Sequence, residues 1–531
     1  MGLRHRTAIP AGCALSWPGR PRYLVSSEPV NSRQMEYWLN RILFCSSEVH
    51  PFCKTGGLGD LSGSLPTALK QLGEDIRIIL PAYPSALAKS VNVRQVSSLK
   101  LTGASQQVHL LETKMPGTDV PVYLVDCREA FDRAGDLYVD EHGQDWPDNA
   151  RRFCLFSRAI VELAMNRATM RWKPHIVHCN DWQTGLVPAL LSRERARPGV
   201  VFSIHNLGYQ GDFSWDQFEE LSLPQQLWAF DSMEHYDRFL FIKGGLSHAD
   251  RLITVSPTYA EEIKTEAYGC GLHPLLQYRA ERLTGILNGI DERLWDPRTD
   301  PALVRNYSVD ELADKYANKR ALQKELGLVR SARKVLISHI GRLTDQKGTD
   351  LILDIIPDLM KMDGVQLVLL GSGDRSLERA FRKASRKYPR KLTVRVGYDE
   401  ELAHRIEAGS DIFLMPSRYE PCGLNQMYSM RYGTIPVVRL TGGLADTVVN
   451  ADESTLADGS ATGFGFTELS ARALLESVTD ALQVYRQFPE LWRTLMVSAM
   501  SRDFGWRQSG ARYLELYGTV RRRKRTQRSR V

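Results

Sequence analysis

The chain reads as an α/β protein made of two successive halves, each an alternation of buried strands and helices with glycine-rich loops at the strand ends. Three observations predict this. Short apolar runs of strand length alternate with segments of helical periodicity along most of the chain. Polar, glycine-bearing loops follow those runs at residues 54–60, 342–348 and 417–423, the carboxyl ends where open α/β sheets bind ligands. At 531 residues the chain is too long for one core, so two domains of ordinary size are expected.

Residues 416–448 organise the rest. The run Asp411-Ile412-Phe413-Leu414-Met415 stops at Pro416, as a buried strand does on entering a loop, and that loop carries Arg418 and Glu420. Residues 423–432 have helical character, and Gly433 stands where a left-handed C-cap would end them. A second strand at 435–438 delivers Thr441, Gly442 and Gly443 to another helix. Backbone N–H groups at a helix N-terminus suit an anion, and a carboxylate beside them suits sugar hydroxyls. The unit fits a ligand that is both phosphorylated and rich in hydroxyls.

In chain order, the folded part begins with the strand 41–45, followed by Ser46-Ser47-Glu48 and Lys54-Thr55-Gly56-Gly57-Leu58-Gly59-Asp60. Leu61, Leu65, Ala68, Leu69 and Leu72 then recur at helical spacing. Lys54 is placed to meet an anion, but the loop is neither GxGxxG nor a P-loop, and glycines needed only for turning would read the same way. Strands follow at 77–81 and 122–126, a turn-rich loop at 131–138 and a helix over 149–167. A strand at 176–179 ends on Asn180-Asp181-Trp182, a helix spans 185–192, and a strand at 200–204 ends on His205-Asn206. Asp181 and His205 are therefore expected on one sheet edge, with a structural role for the histidine as open as a catalytic one. The aromatics of 206–249 suit either packing or a sugar-binding face. A strand at 251–255 and a helix from Thr258 to about Tyr268 close this half. Gly269, Gly271 and Pro274 mark a mobile connector, and the boundary is expected near Arg279, with 283–287 opening the second set of strands.

The second half repeats the logic. A strand at 334–340 ends in Gly341-Arg342-Leu343-Thr344-Asp345-Gln346-Lys347-Gly348, where Arg342 and Lys347 converge with helical N–H groups on an anion. A strand at 365–370 ends in Gly371-Ser372-Gly373-Asp374, and one at 393–396 ends in Gly397-Tyr398, a ring on which a planar base could stack.

Composition excludes several classes. No apolar run reaches the length of a membrane span. The eight cysteines lack CxxC spacing and read as reduced and mostly buried, in a cytoplasmic protein. The net charge of +7 hints at nucleic acid, yet Arg521, Arg522, Arg523, Lys524, Arg525, Arg528 and Arg530 account for all of it, so the body is near neutral and nucleic-acid binding is not expected. Residues 1–40 are Arg-rich, acid-poor and proline-interrupted, like a plastid transit peptide without its amphipathic helix; an upstream extension before a start near Met35 fits equally well.

The motifs at residues 54–60, 180–185, 204–207, 287–291, 341–348, 416–424 and 441–447 together resemble bacterial glycogen synthase and plant starch synthase, over about residues 41–520. The resemblance implies the GT-B fold, two Rossmann-like doubly wound domains with the active site in the interdomain cleft. It implies an acceptor domain over 41–279, a nucleotide-sugar domain over 280–500 and a helix over 501–520 returning to the first domain; residues 1–40 and 521–531 have no counterpart in the family, and their composition and charge alone suggest a disordered N-terminal extension and a basic disordered tail. The resemblance implies glucose transfer from ADP-glucose to the 4-OH end of an α-1,4-glucan such as glycogen, with retention of configuration and no cofactor. Lys54, with Gly56 and Gly57, would meet the donor from the first domain, and Arg342 and Lys347 would neutralise the diphosphate. Tyr398 would stack on adenine, Glu420 would bind glucose hydroxyls, and Cys422 and Gly423 would shape the pocket. Thr441 and Gly442 would offer N–H groups to phosphate, and His205 and Asp181 would line the glucose side. Where some transferases of this fold carry a second acid, this chain has Tyr428.

Two rivals fit less well. A glucan phosphorylase needs pyridoxal phosphate on a lysine, for which no stretch stands out, and no His, Asp and Glu cluster at metal-ligand spacing appears either. A glucan-binding protein without activity would be expected to have lost Lys54, Arg342, Lys347 or Glu420, and all four are present.

Overall fold

The computed structural model describes residues 39–528 apart from Thr169; what was expected of residues 1–38 lies outside the described residues. Two sheets form, each where the apolar runs lie. The first lobe holds β1 (Arg41–Cys45), β2 (Asp75–Pro81), β3 (Arg94–Leu99), β4 (Val108–Lys114), β5 (Pro121–Asp126), β6 (Ile176–Asn180) and β7 (Gly199–Ile204). A small antiparallel sheet, β8 (Asp212–Phe213), β9 (Glu234–His235) and β10 (Arg238–Leu240), interrupts it before β11 (Arg251–Thr254) and β12 (Leu283–Gly285) return. The large sheet runs β12-β11-β7-β6-β1-β2-β5-β4-β3 and is parallel except at its β5-β4-β3 end.

The second lobe holds β13 (Val335–Ile340), β14 (Val365–Gly371), β15 (Leu392–Val396), β16 (Ile412–Met415), β17 (Ile435–Arg439) and β18 (Phe464–Phe466). Their order, β15-β14-β13-β16-β17-β18, is the 3-2-1-4-5-6 order of a doubly wound dinucleotide-type sheet, and every neighbouring pair is parallel. Helices cover both faces, so central strands are buried on each side and consist almost wholly of apolar residues; Ile42, Leu43, Phe44, Val177, Ile337 and Leu367 are fully inaccessible. Each such side chain stabilises the fold by roughly 1.5–3 kcal/mol.

The structure departs from the expectations at five points. Strand β12 pairs with β11, so the first sheet extends to Gly285 and the boundary lies beyond Arg279. Residues 273–278, expected within a mobile connector, form a helix begun by a proline in its first turn, and the preceding helix, Pro257–Glu262, stops before Tyr268. The antiparallel β3 and β4 were not expected, because at the sheet edge they are half exposed and lack a continuous apolar run. The C-terminal helix runs from Trp506 to Arg528, through the segment expected as a disordered tail, because arginine and lysine sustain a helix and no proline interrupts it.

That helix returns to the first lobe, as expected. The Tyr517 hydroxyl pairs with His178 Nδ1 at 2.7 Å, Ser509 donates to the Leu287 carbonyl at 2.6 Å, and Arg521 donates to the Leu39 carbonyl at 3.1 Å. Of the aromatics of 206–249, Phe213, Trp215, Phe218, Trp228, Phe239 and Phe241 pack edge and face on one another, whereas Tyr209, Phe230 and Tyr236 are exposed. Among the described residues no helix is long and apolar enough to cross a membrane.

Candidate active site

Each sheet has a point where the strand order reverses, β1/β6 in the first lobe and β13/β16 in the second. Loops leaving neighbouring strands diverge there and open a crevice at their carboxyl ends. The four loops that leave these strands carry Lys54, Asp181, Arg342 with Lys347, and Glu420, so the topology gathers most of the expected residues.

On the first lobe, Glu48 shapes the lysine loop. Its buried carboxylate accepts the Thr55 N–H at 2.6 Å, the Thr55 hydroxyl at 2.6 Å, the Gly56 N–H at 3.2 Å and the Tyr138 hydroxyl at 2.7 Å. Burial nonetheless holds its pKa above the usual carboxylate range. Gly56 caps the helix Gly57–Gln71, and Gly57 faces Leu424 of the other lobe. The Lys54 ammonium lies 2.7 Å from Asp60 and 5.8 Å from the centre of the Tyr398 ring, so it faces the crevice. Burial opposes its charge, and Asp60, with Tyr398 and Glu400 behind it, more than offsets this, raising its pKa.

Asp181 and His205 meet at one sheet edge. Asp181 Oδ1 accepts the N–H groups of His205 at 2.7 Å and Asn206 at 3.4 Å, and burial lifts the carboxyl to a pKa of about 7. Its backbone sits at φ 56°, ψ −178°, a region populated almost solely by glycine. Such strain persists only where surroundings impose it, and it concentrates at functional sites. Asn180 Nδ2 donates to the Cys45 carbonyl, which leaves its Oδ1 to accept from His205 Nε2 at 2.9 Å. This assigns the proton to Nε2 and leaves Nδ1 as an acceptor, on a ring kept neutral by burial, with a pKa of about 3.

On the second lobe, Lys347 Nζ donates to Glu420 Oε2 at 2.6 Å, and the same oxygen accepts the Ser417 hydroxyl at 3.0 Å. Glycine is required between these loops: Gly348 has φ 62°, and a Cβ on it would stand 2.0 Å from the Pro416 carbonyl oxygen. Arg342 donates to the Tyr209 hydroxyl of the first lobe at 2.6 Å and to Gln346 at 3.3 Å. Cys422 is buried beside Glu420, its thiol pushed up to about 12 by burial, and Gly423 lies against Gln426. Tyr398 is 73% exposed, a free ring face beside Lys54.

Two expected residues are engaged otherwise. The Thr441 hydroxyl and the Gly442 N–H, expected to hold phosphate, both donate to Glu262 Oε1 of the first lobe, at 2.8 and 2.9 Å. Arg418 forms a two-pronged pair with Asp350 at 2.8 Å and so ties its loop to the first turn of the helix Thr349–Lys361. Four residues join the site without having been read from the sequence as members of it. Glu48 stands just before the lysine loop, where an acid at a strand end is a usable signal. Asn288, 8% exposed, has a buried Oδ1 without a partner, while its backbone N–H reaches the Cys422 sulfur. Tyr209 and Glu262 act only across the lobes, and no local pattern marks them. Among the described residues no three of His, Cys, Asp and Glu gather to hold a metal ion.

Comparison with known proteins agrees with this geometry. Residues 41–278 match the family described as Starch synthase catalytic domain, and residues 324–488 match Glycosyl transferases group 1. The chain is 51% identical over 477 residues to glycogen synthase 1 of Methylococcus capsulatus, covering 90% of this chain and 96% of that one. It is 51% identical over 478 residues to glycogen synthase of Thioalkalivibrio sulfidiphilus, covering 90% and 99%. The catalytic domain of starch synthase IV from Arabidopsis thaliana, solved with ADP and acarbose bound, superposes with a TM-score of 0.84 at 34% identity, covering 91% of this chain and all of that one. With two doubly wound lobes meeting at their switch points and relatives of this identity over nine-tenths of its length, the chain belongs to the glycogen and starch synthase family, glucosyltransferases of the GT-B fold.

Proposed function

We propose that the chain transfers glucose from ADP-glucose to the non-reducing 4-OH end of an α-1,4-glucan, retaining configuration and releasing ADP. The observation that carries this reading is the Lys347–Glu420 pair at the second lobe's switch point, within the crevice that Lys54 enters from the first lobe. Breaking the glucosyl–phosphate bond builds negative charge on the diphosphate and positive charge on the sugar. A donor seated there splits the pair: Lys347, with Arg342 and Lys54, turns to the diphosphate, and Glu420 turns to glucose hydroxyls. Arg342 must exchange the Tyr209 hydroxyl for phosphate, a stronger charge-assisted bond. Tyr398 offers its open face to adenine. The starch synthase relative was crystallised with ADP and acarbose, which supports a nucleotide beside a glucan mimic in the same cleft.

Retention by a carboxylate nucleophile needs a free carboxylate near the anomeric carbon. Asp181 spends one oxygen on two backbone N–H groups, and burial favours its protonated form, which makes it a poor nucleophile. A same-face substitution, in which the departing ADP deprotonates the acceptor hydroxyl, fits better. A cytoplasmic setting accords with seven described cysteines, all free. The test is glucose transfer onto glycogen from labelled ADP-glucose and UDP-glucose side by side; the reading predicts ADP-glucose as the faster donor, and a UDP-glucose preference overturns it.

A further inference from the structure

Two short helices, one from each lobe, cap each other across the cleft. In the first lobe, Thr258 at the start of Pro257–Glu262 donates its N–H and hydroxyl to Asp446 of the second lobe, at 3.0 and 2.7 Å. Glu262, the last residue of that helix, accepts the Thr441 hydroxyl and the Gly442 N–H at the start of Gly442–Thr447, the helix that carries Asp446. The exchange is reciprocal, with each helix's acid satisfying the other's first donors.

The contact continues into the catalytic loop. Gly443 N–H, next in the chain, donates to the Glu420 carbonyl at 3.0 Å and the Pro421 carbonyl at 3.2 Å. Gly442 holds φ 46°, and a Cβ on it would lie 2.0 Å from the Glu420 carbonyl oxygen, so the two backbones are in direct register. We propose that Glu262 is a positioning residue that couples docking of the lobes to the placement of Glu420. When the lobes part, Thr441 and Gly442 lose their acceptor, the turn through Gly443 slackens, and the Glu420 carboxylate loses its aim. The site is thereby complete only when closed, as an enzyme that must keep water from an activated sugar requires. The inference rests on Glu420 facing the hexose.

The experiment compares Glu262→Ala, Glu262→Gln and Glu420→Ala in the full chain, measuring kcat, KM for each substrate, Tm, and lobe separation by small-angle scattering with saturating ADP. Glu262 Oε1 is taken by the Thr441 hydroxyl and the Gly442 N–H, so Glu262→Ala should lower kcat by about 10-fold or more, leave donor KM within about 3-fold, and raise the radius of gyration in ADP. Glu262→Gln keeps an Oε1 that can accept both bonds, and because Oε2 has no partner in the native protein the amide nitrogen displaces none; its kcat should stay within about 3-fold. Native kcat in Glu262→Ala, or a Glu262→Gln variant as impaired as Glu262→Ala, overturns the inference. Normal turnover in Glu420→Ala removes the functional reading and the inference with it. An inactive Glu420→Ala beside a normal Glu262→Ala removes the inference alone.

Discussion

Removing either member of the Lys347–Glu420 pair separates a catalytic role from a structural one. The two side chains are 20% and 6% exposed and 2.6 Å apart, so each desolvates the other's charge only in part. Lys347→Ala leaves Glu420 with the Ser417 hydroxyl as its remaining donor, and Glu420→Ala leaves Lys347 able to reach water. The expected stability loss is about 1–3 kcal/mol for Lys347→Ala and less for Glu420→Ala, below the range for a fully buried pair. In so large a chain that is a shift of only about 1 °C in Tm per kcal/mol. The loss in turnover should be far greater, about 10²–10³-fold for each, equivalent to about 2.7–4 kcal/mol of transition-state stabilisation. The double variant discriminates: with no unpaired charge left, its Tm should recover toward the native value, while its turnover stays at the level of the worse single variant. Thermal unfolding and initial rates of glucose incorporation into glycogen measure both. Activity that recovers along with stability in the double variant would refute the argument, since the pair would then serve only to hold the loop.

Three further outcomes follow from particular contacts. Truncation after Arg522 should leave turnover unchanged, whereas truncation before Arg521, which removes its bonds to Leu39 and Asn40, should also lower Tm; a large loss of activity from the first truncation would place the tail in the site. Gly348→Ala should abolish activity and cost more than about 1–3 kcal/mol, because positive φ and a 2.0 Å approach to Pro416 both penalise a side chain; near-native kinetics would show that the loop can shift freely. Asp181→Asn should change the pH dependence of stability. Burial raises the native Asp181 pKa from 3.8 to about 7, so between these values the native state holds a proton that the unfolded chain has lost, and stability falls as pH rises. His205 works in the opposite sense, lowered from 6.5 to about 3, so stability falls as pH drops through that window. Asparagine keeps the Oδ1 acceptor but not the titration, and the variant's Tm should therefore climb more steeply than the native protein's from pH 4 to 6.5. Parallel curves would contradict the burial of this carboxyl.

What was legible in the sequence follows from which forces act locally. Strands such as β1, β6, β13 and β16 are buried on both faces, which forces runs like Ile-Leu-Phe-Cys and Ile-Phe-Leu-Met, and these can be read directly. Strand β3 lies at the sheet edge with β4 next to it, and both are half exposed, so their residues carry no continuous signal. Strand β12 is readable as a strand, but which sheet it joins depends on pairing with β11, and no feature of Leu283–Gly285 encodes that partner. The site shows the same division. Lys54, Arg342, Lys347 and Glu420 sit in glycine-marked loops, and their placement follows from strand ends. The contact that Gly442 makes was not legible, because a freed N–H attracts any acceptor, and the one it finds lies 180 residues earlier in the chain.

The reversal of strand order in each lobe explains why the active residues come from so few places. A loop that leaves a strand between two neighbours wound the same way is covered by the helix packed beside it. At β1/β6 and β13/β16 the adjacent helices lie on opposite faces, so the loop backbones stay uncovered and their donors need other partners. The carboxylates on these loops are held in different ways: Glu48 by the N–H groups of Thr55 and Gly56 on its own loop, Asp181 by those of His205 and Asn206 on the loop after β7, and Glu420 by the Lys347 ammonium. Glu48 and Asp181 are held by backbone and stay put when a substrate enters. Glu420 is held by the tip of a lysine and a serine hydroxyl, both able to swing away. Of these acids it is the one whose bonds a diphosphate can take over without unfolding a loop, and that difference in tethering is the physical ground for assigning it the sugar.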